Sequence, residues 1–282
     1  MNQIAREYKQ AIIIGASPMG NEATQLLALL RWAGYGAQEE SCTRDCATCR
    51  SGCRKPEMKK DIYVIAADGG LGFLLKNKLR PDFLVGDLDS IKYDDILTEA
   101  AVKAAIGEIP HEVVPVEKDD TDMGLAVAKA YEKGYHEILI YGGCGGARVS
   151  HTFANVQLMS LYAKKGCQIQ MMGDGIRMEV LWNGCKTFSS ALKGSLSVIC
   201  LSDKADGVVI RGLKYEYVGS LTSDFALGVS NSFLLWVTRS PFLKSANALA
   251  VCSATEYHAI VCRIPTSTQI LTVFFLPALK SN

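Results

Sequence analysis

Pro81-Asp82-Phe83-Leu84-Val85-Gly86-Asp87-Leu88-Asp89-Ser90 is a short apolar run that breaks at a glycine into two carboxylates. An apolar run bounded by proline and glycine fits a buried strand of a parallel sheet. Ligands of open parallel sheets sit outside the carboxyl ends of the strands, which is where Asp87 and Asp89 stand. If the chain continues extended past Gly86, the period of two puts both carboxylates on one side, where hard oxygens can share Mg²⁺. About thirty residues further on, Lys118-Asp119-Asp120-Thr121-Asp122 opens a helix. Helical spacing sets Asp119 and Asp122 on a common face of its first turn, and Lys118 adds a cation for a phosphate oxygen. Each stretch alone has a plainer reading, since Thr and Asp cap helix starts and Asp is common in turns. Together, at the ends of consecutive strands, they point to one divalent-metal and polyphosphate site.

The same rhythm extends outward in both directions. Residues 11–14 and 61–67 read as strands; the first is stopped by Gly15, and Asp68-Gly69-Gly70 turns the second into a helix through Leu75. Gly15 to Gly20 has the two-glycine spacing of a phosphate loop, but Asn21 and Glu22 stand where Lys-Ser/Thr should follow. It therefore reads as an ordinary strand-to-helix turn lining a nucleotide pocket, with a helix from Glu22 to Trp32. Residues 111–116 form a strand, about 120–133 a helix and 136–141 a strand, ending in Gly142-Gly143-Cys144-Gly145-Gly146. Four glycines in five residues let backbone N–H groups approach an anion. Arg148 can assist there, and a helix from about Ser150 to Lys165 follows. His151 reads as a helix-start or packing residue, with a catalytic base as the alternative. This is an α/β, Rossmann-like parallel-sheet domain over residues 1–166. From Gln168 the pattern changes to short strands separated by Gly173-Asp174-Gly175, Asn183-Gly184, Lys193-Gly194, Asp206-Gly207 and Gly228. That reads as an all-β, sandwich-like or partial-barrel domain over residues 167–282.

A chain of 282 residues is long enough for two such cores. Net charge +1 with 21% charged residues offers no basic stripe for nucleic acid and no acidic tail. The start, MNQIAREYKQ, carries mixed charge and leads into a strand, so no secretory signal is expected. No window of about 18 apolar residues suggests a membrane span. The expected location is cytoplasmic, and the ten cysteines are expected as reduced thiols, with metal binding as the exception. Cys42, Cys46, Cys49 and Cys53 lie in a polar insertion at about 34–60. Steps of four, three and four residues put all four sulfurs on one stripe of a helix. One straight helix cannot wrap zinc tetrahedrally, so a structural zinc, an iron–sulfur cluster, free thiols and disulfides all stay open.

The ordered set Asp68-Gly69-Gly70, Gly86 to Ser90, Lys118 to Asp122, Gly142 to His151, Gly212-Leu213-Lys214-Tyr215 and Gly228-Val229-Ser230-Asn231 resembles the thiamin pyrophosphokinases over about residues 11–33 and 61–233. The resemblance implies an α/β catalytic domain followed by a β-rich thiamin-binding domain, working with ATP and Mg²⁺ as a homodimer that binds thiamin between subunits. It makes Asp87, Asp89, Asp119 and Asp122 the metal and phosphate group. It places Asp68, Gly69, Lys118, Thr121, Gly145, Arg148 and His151 near ATP, and Ser230 and Asn231 near thiamin. The implied reaction is attack of the thiamin hydroxyl on the β-phosphorus of ATP, giving thiamin diphosphate and AMP. Three departures stand out. Ser150 occupies the position of an expected Asp, with Arg148 displaced by one. The cysteine-rich insertion is the second. In the third, residues 234–282 lack recognisable closing strands, as a divergent ending or a change of reading frame would leave them. These departures motivate an alternative, a catalytically weak nucleotide- or thiamin-binding sensor or scaffold. A metal-dependent glycosyltransferase rests on Asp87-x-Asp89 alone, and Lys118 to Asp122 and the β domain argue against it.

Overall fold

The computed structural model describes residues 9–35, 61–113, 120–188, 194–233, 259–263 and 270–277. Cys42, Cys46, Cys49, Cys53, Lys118 and Asp119 lie outside the described residues. The chain divides between Arg177 and Met178 into two compact units.

In the first unit, the elements are β1 (Lys9–Ile14), α1 (Glu22–Trp32), β2 (Asp61–Ala67), α2 (Gly70–Lys76), β3 (Phe83–Gly86), α3 (Glu99–Glu108), β4 (His111–Val113), α4 (Asp122–Glu132), β5 (Glu137–Tyr141), α5 (Val149–Lys164) and β6 (Gln168–Gly173). The strands pair in parallel in the order β6-β5-β1-β2-β3-β4. Strand β1 is buried on both faces along Gln10 to Ile14, as its unbroken Ala-Ile-Ile-Ile run requires. Its side chains alternate. Ile12 and Ile14 join Val64, Ala66 and Leu84 in one core with Leu26 and Leu30 of α1, Leu71 and Leu74 of α2, and Val102 and Ala105 of α3. Helix α4 packs on β1, β2 and β3 and touches α5, and Ile13, Ile65 and Val85 are buried alongside Ala126 and Val127. Right-handed crossovers account for this division of helices between two faces.

Helix α3 is an element the motif reading passes over. Thr98 caps it, accepting from the Ala101 N–H at 3.3 Å, and Ala-rich spacing buries Val102 and Ala105. The expected domain boundary at residue 166 separates α5 from β6, yet β6 is the sixth parallel strand because its register with β5 runs from Gln168 to Met172. Just past α1, the Tyr35 hydroxyl donates to the Ile62 carbonyl at 2.9 Å and to the Asp82 carboxylate, which also accepts the Val64 N–H at 2.8 Å. Burial and Asp82 push the Tyr35 phenol far up. The described chain thus leaves at Tyr35 and returns at Asp61 on the N-terminal edge of the sheet, opposite the edge that bears Asp68 and Asp87.

The second unit contains most of β7 (Ile176–Trp182), then β8 (Cys185–Phe188), β9 (Gly194–Cys200), β10 (Lys204–Arg211), β11 (Tyr217–Thr222), β12 (Asn231–Ser232), β13 (Ala259–Arg263) and β14 (Ile270–Pro277). Its strands run in the orders β12-β9-β14-β7 and β11-β10-β13-β8. Leu196 and Val198 of β9 share one core with Phe188, Val208, Ile210 and Leu221, so the two layers enclose a common interior. Two expectations are corrected here. Asp206-Gly207 is no turn but a bulge inside β10, where the register with β11 shifts between Ala205 and Val208 and Gly207 takes φ +67°. The tail does hold closing strands: β13 pairs with β10 and β8, and β14 pairs with β9 from Leu271 to Pro277. Cys144, Cys167 and Cys200 are free and buried. Cys185 departs from the expectation of reduced thiols, being in a disulfide. No described helix is long and apolar enough to cross a membrane.

Leu26 is fully buried between α1 and the sheet. Leu26→Ala is expected to cost about 2–5 kcal/mol of stability, read as a lower urea midpoint for the first unit. A change under about 0.5 kcal/mol, the size typical of surface substitutions, would show that α1 is not docked as described.

Candidate active site

Three carboxylates, from Asp68, Asp87 and Asp122, converge with one oxygen each within 4.8 Å of the others. Asp68 follows β2, Asp87 follows β3 and Asp122 is the first residue of α4. The convergence is built from backbone. The Asp68 N–H donates to the Val85 carbonyl at 2.8 Å, which carries the β2–β3 pairing to the site. Asp68 itself sits at φ +48° and Gly86 at φ +144°. A Cβ on Gly86 would stand 3.0 Å from the Asp68 Cα, so only glycine permits this approach. Beyond Gly86 the chain does not stay extended, because Leu88 takes φ +67°. Asp87 and Asp89 therefore do not share a side by strand alternation, and Asp89 is instead exposed, accepting from the Ser90 hydroxyl at 2.9 Å.

Thr121 is the N-cap of α4, and its hydroxyl accepts from the Gly124 N–H at 3.0 Å. Capping and carboxylate placement coexist here: Thr121 does the first and Asp122 serves the second. Asp68, which the resemblance put near ATP, stands inside the carboxylate group; the legible signal was its position at a strand end before two glycines.

Burial holds the Asp68 carboxyl above its ordinary range, and the Asp122 charge adds to this, while hydrogen bonds from Ser90 and Gly69 oppose it. A half-buried group of three acids is costly when all are ionised, and a divalent cation removes that cost. Their oxygens are the hard donors Mg²⁺ prefers, so the residues fit that ion.

On the other side of β2, strand β1 ends against β5. The Gly15 N–H donates to the Tyr141 carbonyl at 2.8 Å and the Ser17 N–H to the Gly142 carbonyl at 3.0 Å. The glycine loop after β5 is held by Asn155, whose amide donates to the Gly143 carbonyl at 2.6 Å, and by Thr152, which accepts the Gly145 N–H at 3.2 Å. Cys144 within it is an inert thiol, pushed up to about 12 by burial. Arg148, Ser150 and His151 are all exposed at the start of α5.

In the second unit, Ser230 is exposed at φ +61°, and its N–H donates to the Ser197 hydroxyl at 3.0 Å. Asn231 is buried. Its oxygen accepts from the Tyr215 N–H and the Ser232 N–H, both at 2.9 Å, and its amide donates to the Tyr215 carbonyl at 2.6 Å. This side chain ties the Gly212–Tyr215 segment to β12, so its hydrogen-bonding capacity is largely engaged within the protein.

Residues 55–171 match the family described as thiamin pyrophosphokinase, catalytic domain. The chain is similar in structure to thiamine pyrophosphokinase from Bacillus subtilis, with a TM-score of 0.65 and 20% identity, covering 96% of this chain and 100% of that one. The enzyme from Geobacillus thermodenitrificans gives 0.63 at 20% identity, over 96% and 99%. Yeast thiamin pyrophosphokinase gives 0.60 at 14%, over 96% and 87%. At these identities the structures establish the fold. No curated protein is similar enough in sequence to match the chain.

Two outcomes are expected from the site as built. A carboxyl whose folded pKa is raised binds its proton more tightly in the native state, so the stability it contributes falls as pH rises through and above the ordinary value of 3.8. Asp68→Asn should flatten that part of the stability–pH curve without divalent ions, and should lose most of the Mg²⁺-induced rise in Tm seen in the native protein. An equal rise in both proteins would remove Asp68 from the ion's surroundings. Asn231→Ala should cost about 1–3 kcal/mol, because the Tyr215 N–H and C=O lose their partner; denaturant unfolding of the second unit reads this, and an unchanged midpoint contradicts it.

Proposed function

Because residues 55–171 place the chain in the thiamin pyrophosphokinase family, we propose that it transfers the pyrophosphoryl group of ATP to the hydroxyl of thiamin, releasing AMP. The observation that carries this reading is the convergence of Asp68, Asp87 and Asp122 within 4.8 Å, at two strand ends and one helix start of that same stretch. The bond formed joins the thiamin oxygen to the β-phosphorus, and the bond broken is the one between that phosphorus and the oxygen retained by AMP. Mg²⁺, when bound, supplies Lewis-acid neutralisation of the polyphosphate oxygens. Asp68, Asp87 and Asp122 hold it, with Asp89 and Asp119 extending the acidic group and an acidic residue taking the alcohol proton. Lys118 and Arg148 offset phosphate charge, and Gly69, Thr121, Gly145 and His151 complete the ATP surroundings. On this reading Ser230 contacts thiamin while Asn231 shapes the turn that presents it, and the protein acts as a homodimer.

The test is a coupled assay with ATP, Mg²⁺ and thiamin that follows AMP and thiamin diphosphate together. Both are expected in equal amounts, with each reactant required. Asp87→Ala should lower the rate by about 100-fold or more, since metal-mediated charge stabilisation is worth several kcal/mol. Nucleotide binding without either product would favour a sensor or scaffold instead, a reading motivated by Ser150, which stands exposed where the family carries an acid.

A further inference from the structure

A cleft of about 280 Å³ opens beside the carboxylates, lined by Ser17, Gly69, Phe73, Lys76, Ser90 and Lys92 together with the rest of the turn after β1. It adjoins the acidic group directly. Gly69 follows Asp68 in the chain, and Ser90 donates through its N–H to Asp68 at 3.5 Å and through its hydroxyl to Asp89 at 2.9 Å. The junction is tight: a Cβ on Gly69 would lie 2.9 Å from the Ala16 Cβ and 3.0 Å from the Ser90 carbonyl.

The turn from Gly15 to Gly20 has the spacing of a phosphate loop, but the amides of Gly15, Ser17 and Gly20 are engaged within the protein. Those of Gly15 and Ser17 donate to the Tyr141 and Gly142 carbonyls at the end of β5, and that of Gly20 donates to the Glu22 carboxylate at 2.7 Å. Glu22 is itself buried, so this end of the turn presents an acid rather than anion-binding N–H groups. Full positive charge in the cleft comes from its lining cations, Lys76 and Lys92. Lys76 is steadied by Asp94 at 2.6 Å, whereas Lys92 is exposed on the segment that follows Ser90.

A polyphosphate is repelled by three clustered carboxylates except where a metal intervenes, and attracted by ammonium groups lining the adjoining cleft. From the cations lining the cleft that adjoins the carboxylates at Ser90 we infer that Lys92, with Lys76, binds the anionic part of the nucleotide's polyphosphate that extends beyond the carboxylate-held metal. The inference rests on the proposed nucleotide reaction for its substrate, but its binding step is separable from catalysis.

The experiment is calorimetric titration of the full-length protein with inorganic triphosphate in excess Mg²⁺, run in parallel with the AMP-forming assay, on the native protein, Lys92→Met and Lys92→Arg. Lys92→Met keeps the apolar stem and removes the charge. It should weaken triphosphate binding and raise KM for ATP by about 10-fold, the size expected for a charge-assisted hydrogen bond, with KM for thiamin unchanged and kcat within about twofold. Lys92→Arg should restore most of the affinity, and the salt dependence of binding should be shallower in Lys92→Met. Unchanged triphosphate affinity in Lys92→Met, or no triphosphate binding by the native protein, overturns the inference whatever the assay gives. Lys92-dependent triphosphate binding in a protein that forms no AMP supports it and overturns the proposed reaction alone.

Discussion

The hydrogen bond from the Asp68 N–H to the Val85 carbonyl, at 2.8 Å, is the constraint on which the site depends. It prolongs the parallel pairing of β2 with β3 past the last strand residue, and so sets the two acid-bearing turns at one height. The approach works because Gly86 has no side chain to meet the Asp68 backbone. With β3 held there, α4 has only to begin beside it for Asp122 to close the group. The apolar alternation of β1 and β2, buried on both faces, supplies the rigid floor under these turns.

Charge is then distributed across that edge in two parts. The acids are gathered on one side, with Asp68 buried enough that its proton affinity rises. The cations Lys76 and Lys92 line the adjoining cleft. The amides of Gly15 and Ser17 are used in joining the end of β1 to that of β5.

In the second unit the same economy of backbone appears in Asn231, whose side chain replaces strand hydrogen bonds for Tyr215. Gly228 shows a comparable fit, since a Cβ there would meet the Val198 carbonyl at 2.1 Å. Strands β13 and β14 take interior places in their sheets, so the chain after residue 258 contributes ladder partners that no turn signal announces.

Much of this was legible in residues alone. The α/β order, the strand ending at Gly86, the capping role of Thr121, the β-rich second unit and the family resemblance all follow from local pattern, because strand burial, glycine turns and N-caps act over a few residues. Local pattern failed where distant segments meet. The conformation of Leu88, with φ +67°, separates Asp87 from Asp89 in a way no period-two count anticipates. Asp68 joins Asp87 and Asp122 only because β2 lies beside β3 and α4 starts above them. Asp206-Gly207 spells a turn yet bulges within β10, since its neighbours on both sides are claimed by β11. Sequence settled most of the elements of the first unit and which chemistry-bearing residues end them, while α3, β13 and β14 escaped it. Tertiary structure decided which of those ends coincide, because strand pairing and close backbone approach bring together positions that no local period relates.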